Sequence, residues 1–135
     1  MIDVESDIFS LISTALRAAY DDIYVTGEYV SQPPIFPAVF IVEMENSVYQ
    51  PGRDSGAIEN FANVMYQIDV YSNLNRGKKV QAKAIAGMID VLMAVNGFTR
   101  TFMNPVQNMN DPTIYRITAR YQAVVGKDKV IYNRR

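Results

Sequence analysis

Residues 61–73 read FANVMYQIDVYSN, and this stretch decides the fold. Its side chains alternate between two sets. One set is Val64, Tyr66, Ile68 and Val70, and the other is Met65, Gln67, Asp69 and Tyr71. Successive side chains of a strand point to opposite faces, so a period of two residues indicates a half-buried β-strand. The stretch therefore predicts a strand with one face in a core and a more polar face opposite.

A second strong strand and a first helix are predicted upstream. Residues 38–44, AVFIVEM, are nearly all apolar at first, which is typical of a strand inside a sheet. Three prolines in QPPIFP at 32–37 favour an extended approach to it, and residues 23–30 predict a shorter strand. Residues 4–20 repeat apolar side chains every three or four positions, which predicts an amphipathic helix.

Between the two strong strands lies the longest stretch without a regular pattern, residues 46–60. It contains QPGRDSG at 50–56, a composition that disfavours regular structure. Connections of this length in compact domains are usually functional or disordered, and the alternative is a surface loop with no binding role. We expect the loop to be mobile in the free subunit and to become ordered against a partner, since it has few large apolar side chains to offset the entropy of ordering.

Downstream, residues 78–95 predict a second helix that ends before Gly97. Its predicted apolar face is Ala84, Ile85, Met88, Ile89, Leu92 and Met93. Residues 98–103 alternate and predict a strand that Pro105 ends or places at an edge of the sheet. Residues 113–125 predict the last strand. Its predicted polar face is Arg116, Thr118, Arg120 and Gln122.

These elements follow the order α-β-β-β-α-β-β. The predicted fold class is α+β, with an antiparallel or mixed β-sheet and two helices packed on one face. The 135 residues suffice for one domain, predicted at 1–126 and followed by a loose basic tail at 127–135. No apolar run reaches the roughly 18 residues of a membrane span, and the acidic start has the wrong sign for a signal peptide.

The composition argues against catalysis. The chain has no histidine and no cysteine, so it lacks the usual general base near neutral pH, thiolate metal ligands and disulfides. The acidic pairs Asp21-Asp22 and Glu43 with Glu45 are most simply a polar helix end and a solvated strand end. No P-loop or EF-hand spacing is present. We therefore predict no catalytic residue, no metal and no cofactor, and a function in binding, scaffolding or assembly.

Charge is divided unequally along the chain. Residues 1–73 hold two bases and eleven acids, a balance of −9, whereas residues 74–135 hold eleven bases and three acids, a balance of +8. Such a division suits head-to-tail contacts between copies, in which a positive patch meets a neighbour's negative patch. The alternative is that the two halves interleave in one fold and their charges cancel locally.

Five residues are candidates for contacts with a partner. Tyr49, Arg53 and Asp54 lie in the long loop, and Arg116 and Arg120 lie four apart on the last strand. That spacing places both arginines on one face, about 13 Å apart, where acids of a neighbouring copy are expected to meet them. The alternative is a solvated sheet face. A net charge of −1 argues against a dedicated nucleic-acid binder.

Four stretches together resemble the tail-completion or tail-terminator proteins of long, non-contractile-tailed phages. They are PPIFPAVFIVEMEN at 33–46, MYQIDVYSN at 65–73, AIAGMIDVLMAVNGF at 84–98 and DPTIYRITARYQAVV at 111–125. The likeness covers about residues 4–126 and rests on these phrases and on the order of elements.

The resemblance implies a ring, usually of six copies, that stops tail-tube polymerisation and presents a surface to the head's neck proteins. The implied partners are further copies of the chain, the major tail-tube protein and a head-completion or neck protein. No enzymatic activity, cofactor, membrane or specific nucleic acid is implied, although DNA passes through such a ring. The implied location is the virion, after assembly in the host cytoplasm. Two other functions remain open: a head-completion or neck adaptor protein, and a non-catalytic protein-binding module of a bacterial host.

Overall fold

The computed structural model describes residues 1–28, 30, 33–48, 61–107 and 111–126, and the backbone of 131–132. The candidate residues Tyr49, Arg53 and Asp54 lie outside the described residues, as does the predicted loop beyond residue 48.

Two helices and six strands form the fold within those described residues. In chain order they are α1 (Glu5–Ala19), β1 (Tyr24–Thr26), β2 (Ala38–Val48), β3 (Phe61–Ser72), α2 (Lys78–Val95), β4 (Thr99–Val106), β5 (Tyr115–Gly126) and β6 (Ile131–Tyr132). The predicted order is confirmed, with β6 as an additional short strand. The sheet runs β1-β2-β3-β5-β4, and β6 pairs with the end of β5. β1 is parallel to β2 and the other pairs are antiparallel, so the α+β class with a mixed sheet is confirmed.

Both helices pack on one face of the sheet, as the sequence predicts. The buried positions of α1 and α2 lie in one cluster with the alternate residues of β3 and β5 that point the same way. The rings of Tyr66 and Tyr121 are at most 1% exposed in the middle of this layer, and Tyr66 packs edge-on against Phe98. The alternation of FANVMYQIDVYSN therefore gives the core its central strand.

The ends of α2 are set by two glycines. Gly77 precedes the helix with φ of 93° and Gly97 follows it with φ of 89°, a left-handed backbone that favours glycine. The helix spans the predicted residues, but one position of its predicted apolar face is wrong. Ala84 is exposed, whereas Ala82 and Ala86 are buried. The face is rotated because the helix packs against both β3 and β5.

Several strand limits differ from the predictions. β2 extends to Val48, beyond the predicted strand end at residue 44. Residues 46–48 of the predicted irregular stretch therefore belong to the strand, where pairing with β3 satisfies their backbone groups. A bulge between Glu43 and Glu45 interrupts that register. β1 covers only Tyr24–Thr26 of the predicted 23–30. β6 lies within the segment predicted to be a loose tail. β4 contains Pro105 and lies at the end of the strand order, as an edge strand should.

No helix covers the opposite face of the sheet among the described residues. At one end of this open face, Ala38, Phe40 and Tyr71 form a small second cluster. The remainder is largely polar, and its central side chains are hydrogen-bonded to one another. Neither α1 nor α2 is long and apolar enough to cross a membrane.

Candidate functional site: three interaction surfaces

The open face carries a polar ladder made of Gln67 and Asp69 on β3 and Arg116, Thr118 and Arg120 on β5. The register of the two strands sets it: Gln67 lies opposite Arg120, and Asp69 lies opposite Thr118. Alternate residues along each strand point to opposite faces of the sheet. The residues between the core positions of β3 and β5 therefore line up on the open face.

Asp69 is the centre of the ladder. Its carboxylate accepts hydrogen bonds from Arg116 Nη2 at 3.0 Å, from the Thr118 hydroxyl and from Gln67 Nε2 at 3.1 Å. The residue is only 4% exposed, so its charge is held in a largely dry environment. A buried carboxylate is costly unless it is paired and hydrogen-bonded. These partners therefore make the Asp69 site a structural element of the sheet.

The two candidate arginines differ in their surroundings. Arg116 forms an ion pair with Asp69 of its own chain and stacks over the ring of Tyr71, 5.4 Å from its centroid. Within the subunit, the neighbouring strand β3 supplies the carboxylate that pairs with Arg116, and the contact of Arg116 with acids of another copy stays a prediction. Arg120 donates to Gln67 Oε1 at 3.0 Å and lies 5.5 Å from the Phe102 ring centroid. No acid of the described residues forms an ion pair with it.

The second surface is the acidic edge, which we define as Asp3, Glu5, Glu43 and Glu45. One carboxylate oxygen from each of Asp3, Glu5 and Glu43 lies within 4.8 Å of the others, where the start of α1 meets β2. Two of those three residues are exposed, and exposed acids are common on protein surfaces without a metal. The edge is therefore a concentration of negative charge rather than an assigned metal centre.

Glu43 is the least exposed member of that group. Burial raises the pKa of Glu43, Glu5 raises it further by repulsion, and the hydrogen bond from the Tyr66 hydroxyl at 3.1 Å lowers it. Burial and the adjacent Glu43 raise the pKa of Tyr66 in turn. Burial is thus the main cause of the raised pKa of Glu43, and repulsion from Glu5 contributes less.

The third surface is the basic groove, a cavity of about 780 Å³ between α2 and β4. Its cations are Lys79, Lys83 and Arg100. Its apolar or aromatic lining is Ala86, Phe102, Met103, Pro105, Tyr115 and Ile117. Asp90 is its one acid among the described lining residues, and it is already engaged by Arg100 at 3.3 Å and by the Tyr121 hydroxyl at 2.9 Å. The groove is consequently net positive.

The acidic edge lies at β2 and the basic groove lies at β4, toward the two opposite lateral edges of the sheet. β3 and β5 separate β2 from β4, so the two charged regions are about three strand spacings apart, roughly 14 Å. The alternative of local cancellation holds for Arg116 and Asp69, which join the two halves of the sequence. Among the described residues, these two regions keep opposite signs.

The outer face of α2 is unusually apolar for an exposed surface. Val80, Val91 and Val95 are 72%, 63% and 78% exposed, and Gly87 lies on the same side with no heavy atom within 4 Å of the Cβ position. The opposite face of α2 packs on the sheet, so these side chains form an apolar strip on the exposed side of a helix that also carries Lys79 and Lys83.

Nothing in the described residues marks a catalytic centre. Every buried side-chain nitrogen and oxygen among them has a hydrogen-bond partner. Several hydroxyls donate to carboxylates, for example Ser47 to Glu45 at 3.0 Å and Tyr121 to Asp90 at 2.9 Å. The chain has no histidine or cysteine to complete a nucleophile and base arrangement beside them.

No protein-family model matches the sequence, and no curated protein matches it significantly. Solved structures do match its shape. One of them, a protein without a descriptive name, aligns over 84% of this chain and 93% of its own, with 15% sequence identity and a TM-score of 0.45. A likeness at that level carries no argument about function.

Proposed function

We propose that this chain is a non-enzymatic virion protein that forms a ring, caps a phage tail tube, ends its polymerisation and joins the tail to the head. The observation that carries the proposal is the position of opposite charges at opposite edges of one sheet. A closed ring uses two different patches on each copy. The acidic edge and the basic groove supply two such patches with complementary sign.

The resemblance to tail terminators supports the same proposal. The parts of its stretches that the structure describes build the centre of the fold: β2, β3, α2 and β5. These elements form the core layer and carry the ladder. The likeness therefore concerns residues that determine the shape of the subunit rather than its connections.

The remaining exposed surfaces suit contacts along the axis of such a ring. Arg120 keeps a positive charge on the open face, and the outer face of α2 offers an apolar strip. We assign these to the tail-tube protein and the head's neck protein, with six copies as the expected ring.

A phage carrying a stop codon in this gene tests the proposal. We expect lysates that contain DNA-filled heads together with unattached tails of irregular length, seen by electron microscopy. Supplying the intact gene on a plasmid should restore joined particles. Tails of normal length beside heads that lose their DNA would instead indicate a head-completion protein, and normal infectious particles would contradict both functions.

A further inference from the structure

We propose that the C-terminal segment of one copy, Asn133-Arg134-Arg135, binds the outer edge of β2 on the next copy, where the acidic edge lies. This inference rests on the proposed ring and names the contact that closes it. The occupant is a named segment of a second copy of this chain, and two arginines recognise a group of carboxylates.

β2 offers a strand edge on its outer side. Within the described residues, β1 covers β2 only at residues 38–40, and no other described strand flanks β2 from Ile41 onward. Alternate backbone amides and carbonyls of this part of β2 therefore point away from the sheet. An extended segment of a partner can add to such an edge through main-chain hydrogen bonds.

A groove of about 400 Å³ lies beside this strand edge, between α1 and β2. Phe9 and Ile41 supply its apolar lining, Glu5 and Glu28 are its acids, and no described lining residue is a cation. Glu5 also belongs to the acidic edge, so the groove and the acidic edge are continuous. An arginine combines an apolar stem with a planar cation, and such a side chain suits both parts of this surface.

The end of β6 lies at the same height along the strands as the acidic edge. Tyr132 pairs with Val124 on β5, Val124 pairs with Asn63 on β3, and Asn63 pairs with Ser47 on β2. These four residues form one row across the sheet. Glu45 is two residues from Ser47 along β2, so the C-terminal strand and the acidic edge occupy the same end of the sheet.

β6 lies on the opposite lateral side of the sheet from β2. β3 already pairs with residues 124–125 of β5, so β6 pairs with the other side of β5, which is the side of β4. The outer edge of β2 faces away from β6, beyond β5 and β3. The C-terminal segment is therefore better placed to meet the β2 edge of a neighbour than the β2 edge of its own copy.

Strand direction and chain length fit this contact. β6 is antiparallel to β5, β5 to β3, and β3 to β2, so β6 and β2 run in opposite directions. Rotation about an axis along the strands preserves both height and direction, so a segment that continues β6 meets the next copy's β2 antiparallel. At about 3.3 Å per residue, Arg134 and Arg135 are then expected at the heights of Glu45 and Glu43, which pair with Met65 and Tyr66 on β3.

The charges favour this contact over contacts between like surfaces. Residues 133–135 contain two arginines and no acidic side chain. Two C-terminal segments repel each other, and so do two acidic edges, whereas a segment and an acidic edge attract. The result is a head-to-tail contact between two different patches, as a closed ring requires.

Charge reversal and its rescue test the contact. Arg134→Glu with Arg135→Glu should weaken self-association at least about tenfold, measured by sedimentation at low salt with and without tail tube. Asp3→Lys with Glu45→Lys, at two exposed acids, should do the same. An equimolar mixture of the two variants should restore association, because a ring that alternates the two chains joins opposite charges at every contact. A mixture that fails to restore it would overturn the proposed contact.

A matched control has the same change in total charge. Arg17→Glu with Arg76→Glu alters two exposed arginines, one in the last turn of α1 and one just before α2, near the other end of the sheet. This variant should associate as the parent does, and an equal loss would show that total charge rather than the C-terminal segment controls association. Circular dichroism confirms that each variant is folded.

Truncation after Tyr132 provides a second readout, because it leaves every described residue in place. The shortened chain should keep the unfolding free energy of the parent and lose self-association to the same extent as the arginine reversals. Rings that form undiminished from the shortened chain would overturn this contact while leaving the proposed ring intact. A monomer in every mixture, tail tube included, would overturn both the contact and the proposed ring.

Discussion

Arg116 on β5 donates from Nε and Nη2 to a single carboxylate oxygen of Asp69 on β3, at 3.2 and 3.0 Å. The pair joins the basic second half of the sequence to its acidic first half, 47 residues away. Arg120 lies four residues further along the same strand, and no described acid pairs with it. Two arginines that look equivalent in sequence are therefore expected to have different functions.

The first prediction separates those functions by stability. Arg116→Ala removes the cation that pairs with the nearly buried carboxylate of Asp69, and we expect a loss of about 1.5–3 kcal/mol in the free energy of unfolding. Arg120→Ala removes a bond to Gln67 and a contact with Phe102 at a half-buried site, so its loss should stay below about 1 kcal/mol. Urea unfolding of both variants measures the difference. Equal losses would show that Arg120 is as structural as Arg116.

A double-mutant cycle examines the pair itself. If Asp69→Ala and Arg116→Ala act through one interaction, the double variant should be more stable than the sum of the two single losses implies, by about 0.5–3 kcal/mol. Thr118→Val offers a comparison, since it removes one neutral donor to the same carboxylate. Strictly additive losses would mean that the ion pair contributes nothing specific.

The third prediction concerns pH. Because burial raises the pKa of Glu43 above its value in the unfolded chain, the folded state binds more protons in the window between the two values. Stability then falls as pH rises through that window, starting near the ordinary value of 4.5. Glu43→Gln keeps an acceptor for the Tyr66 hydroxyl. Its stability relative to the parent protein, measured by thermal unfolding, should increase as pH rises through the window. Exposed Glu45→Gln is the control, and a parallel pH profile for the parent and Glu43→Gln would contradict the account.

The fourth prediction compares two glycines of one helix. Gly87 lies inside α2 with open space at its Cβ position, so Gly87→Ala should stabilise the subunit by about 0.5–1 kcal/mol. Gly77 precedes the helix at φ of 93°, and Gly77→Ala should destabilise it by about 1–2 kcal/mol. Denaturant midpoints of the two variants test the opposite signs. A loss of stability in Gly87→Ala would mean that the outer face of α2 is covered even in the free subunit.

The fifth prediction concerns the outer face of α2. Val91→Glu and Val95→Glu alter exposed positions, so the unfolding free energy of the isolated subunit should change by no more than about 0.5 kcal/mol. Binding to tail tubes or to neck protein should nevertheless be lost, because a charge would be buried at the contact. Co-sedimentation with assembled tubes, and affinity measurements with the neck protein, provide the assay. Undiminished binding to both partners would remove this face from the proposed interface.

The alternation of residues 61–73 suffices to predict β3, its buried face and its polar face, because side-chain direction in a strand follows directly from sequence parity. The same parity places Arg116 and Arg120 together. Parity does not reveal which strands become neighbours. The pairing of β3 with β5, which brings Asp69 to Arg116, therefore could not be predicted from the sequence. The one available signal was an aspartate within a strongly apolar strand.

The charged edges show a similar limit. The division between an acidic first half and a basic second half is evident from the sequence, but its spatial outcome depends on strand order. Asp3 and Glu5 meet Glu43 only because α1 begins beside β2, and Lys83 and Arg100 line one groove only because α2 flanks β4. Likewise, the exposure of Ala84 depends on how α2 is rotated about its own axis against two strands. The spacing of apolar residues alone predicts that rotation only to within about one residue position.

The most direct test of the central claim adds the purified chain to polymerising tail-tube protein from the same phage and images the products by electron microscopy. The account predicts that tubes stop growing, with a ring of this protein, six copies by expectation, at the capped end. Lys79→Glu with Lys83→Glu should leave the tubes uncapped, and Arg76→Glu should cap them normally. Tubes that grow to unchanged lengths, with this protein absent from their ends and monomeric in solution, would contradict the account.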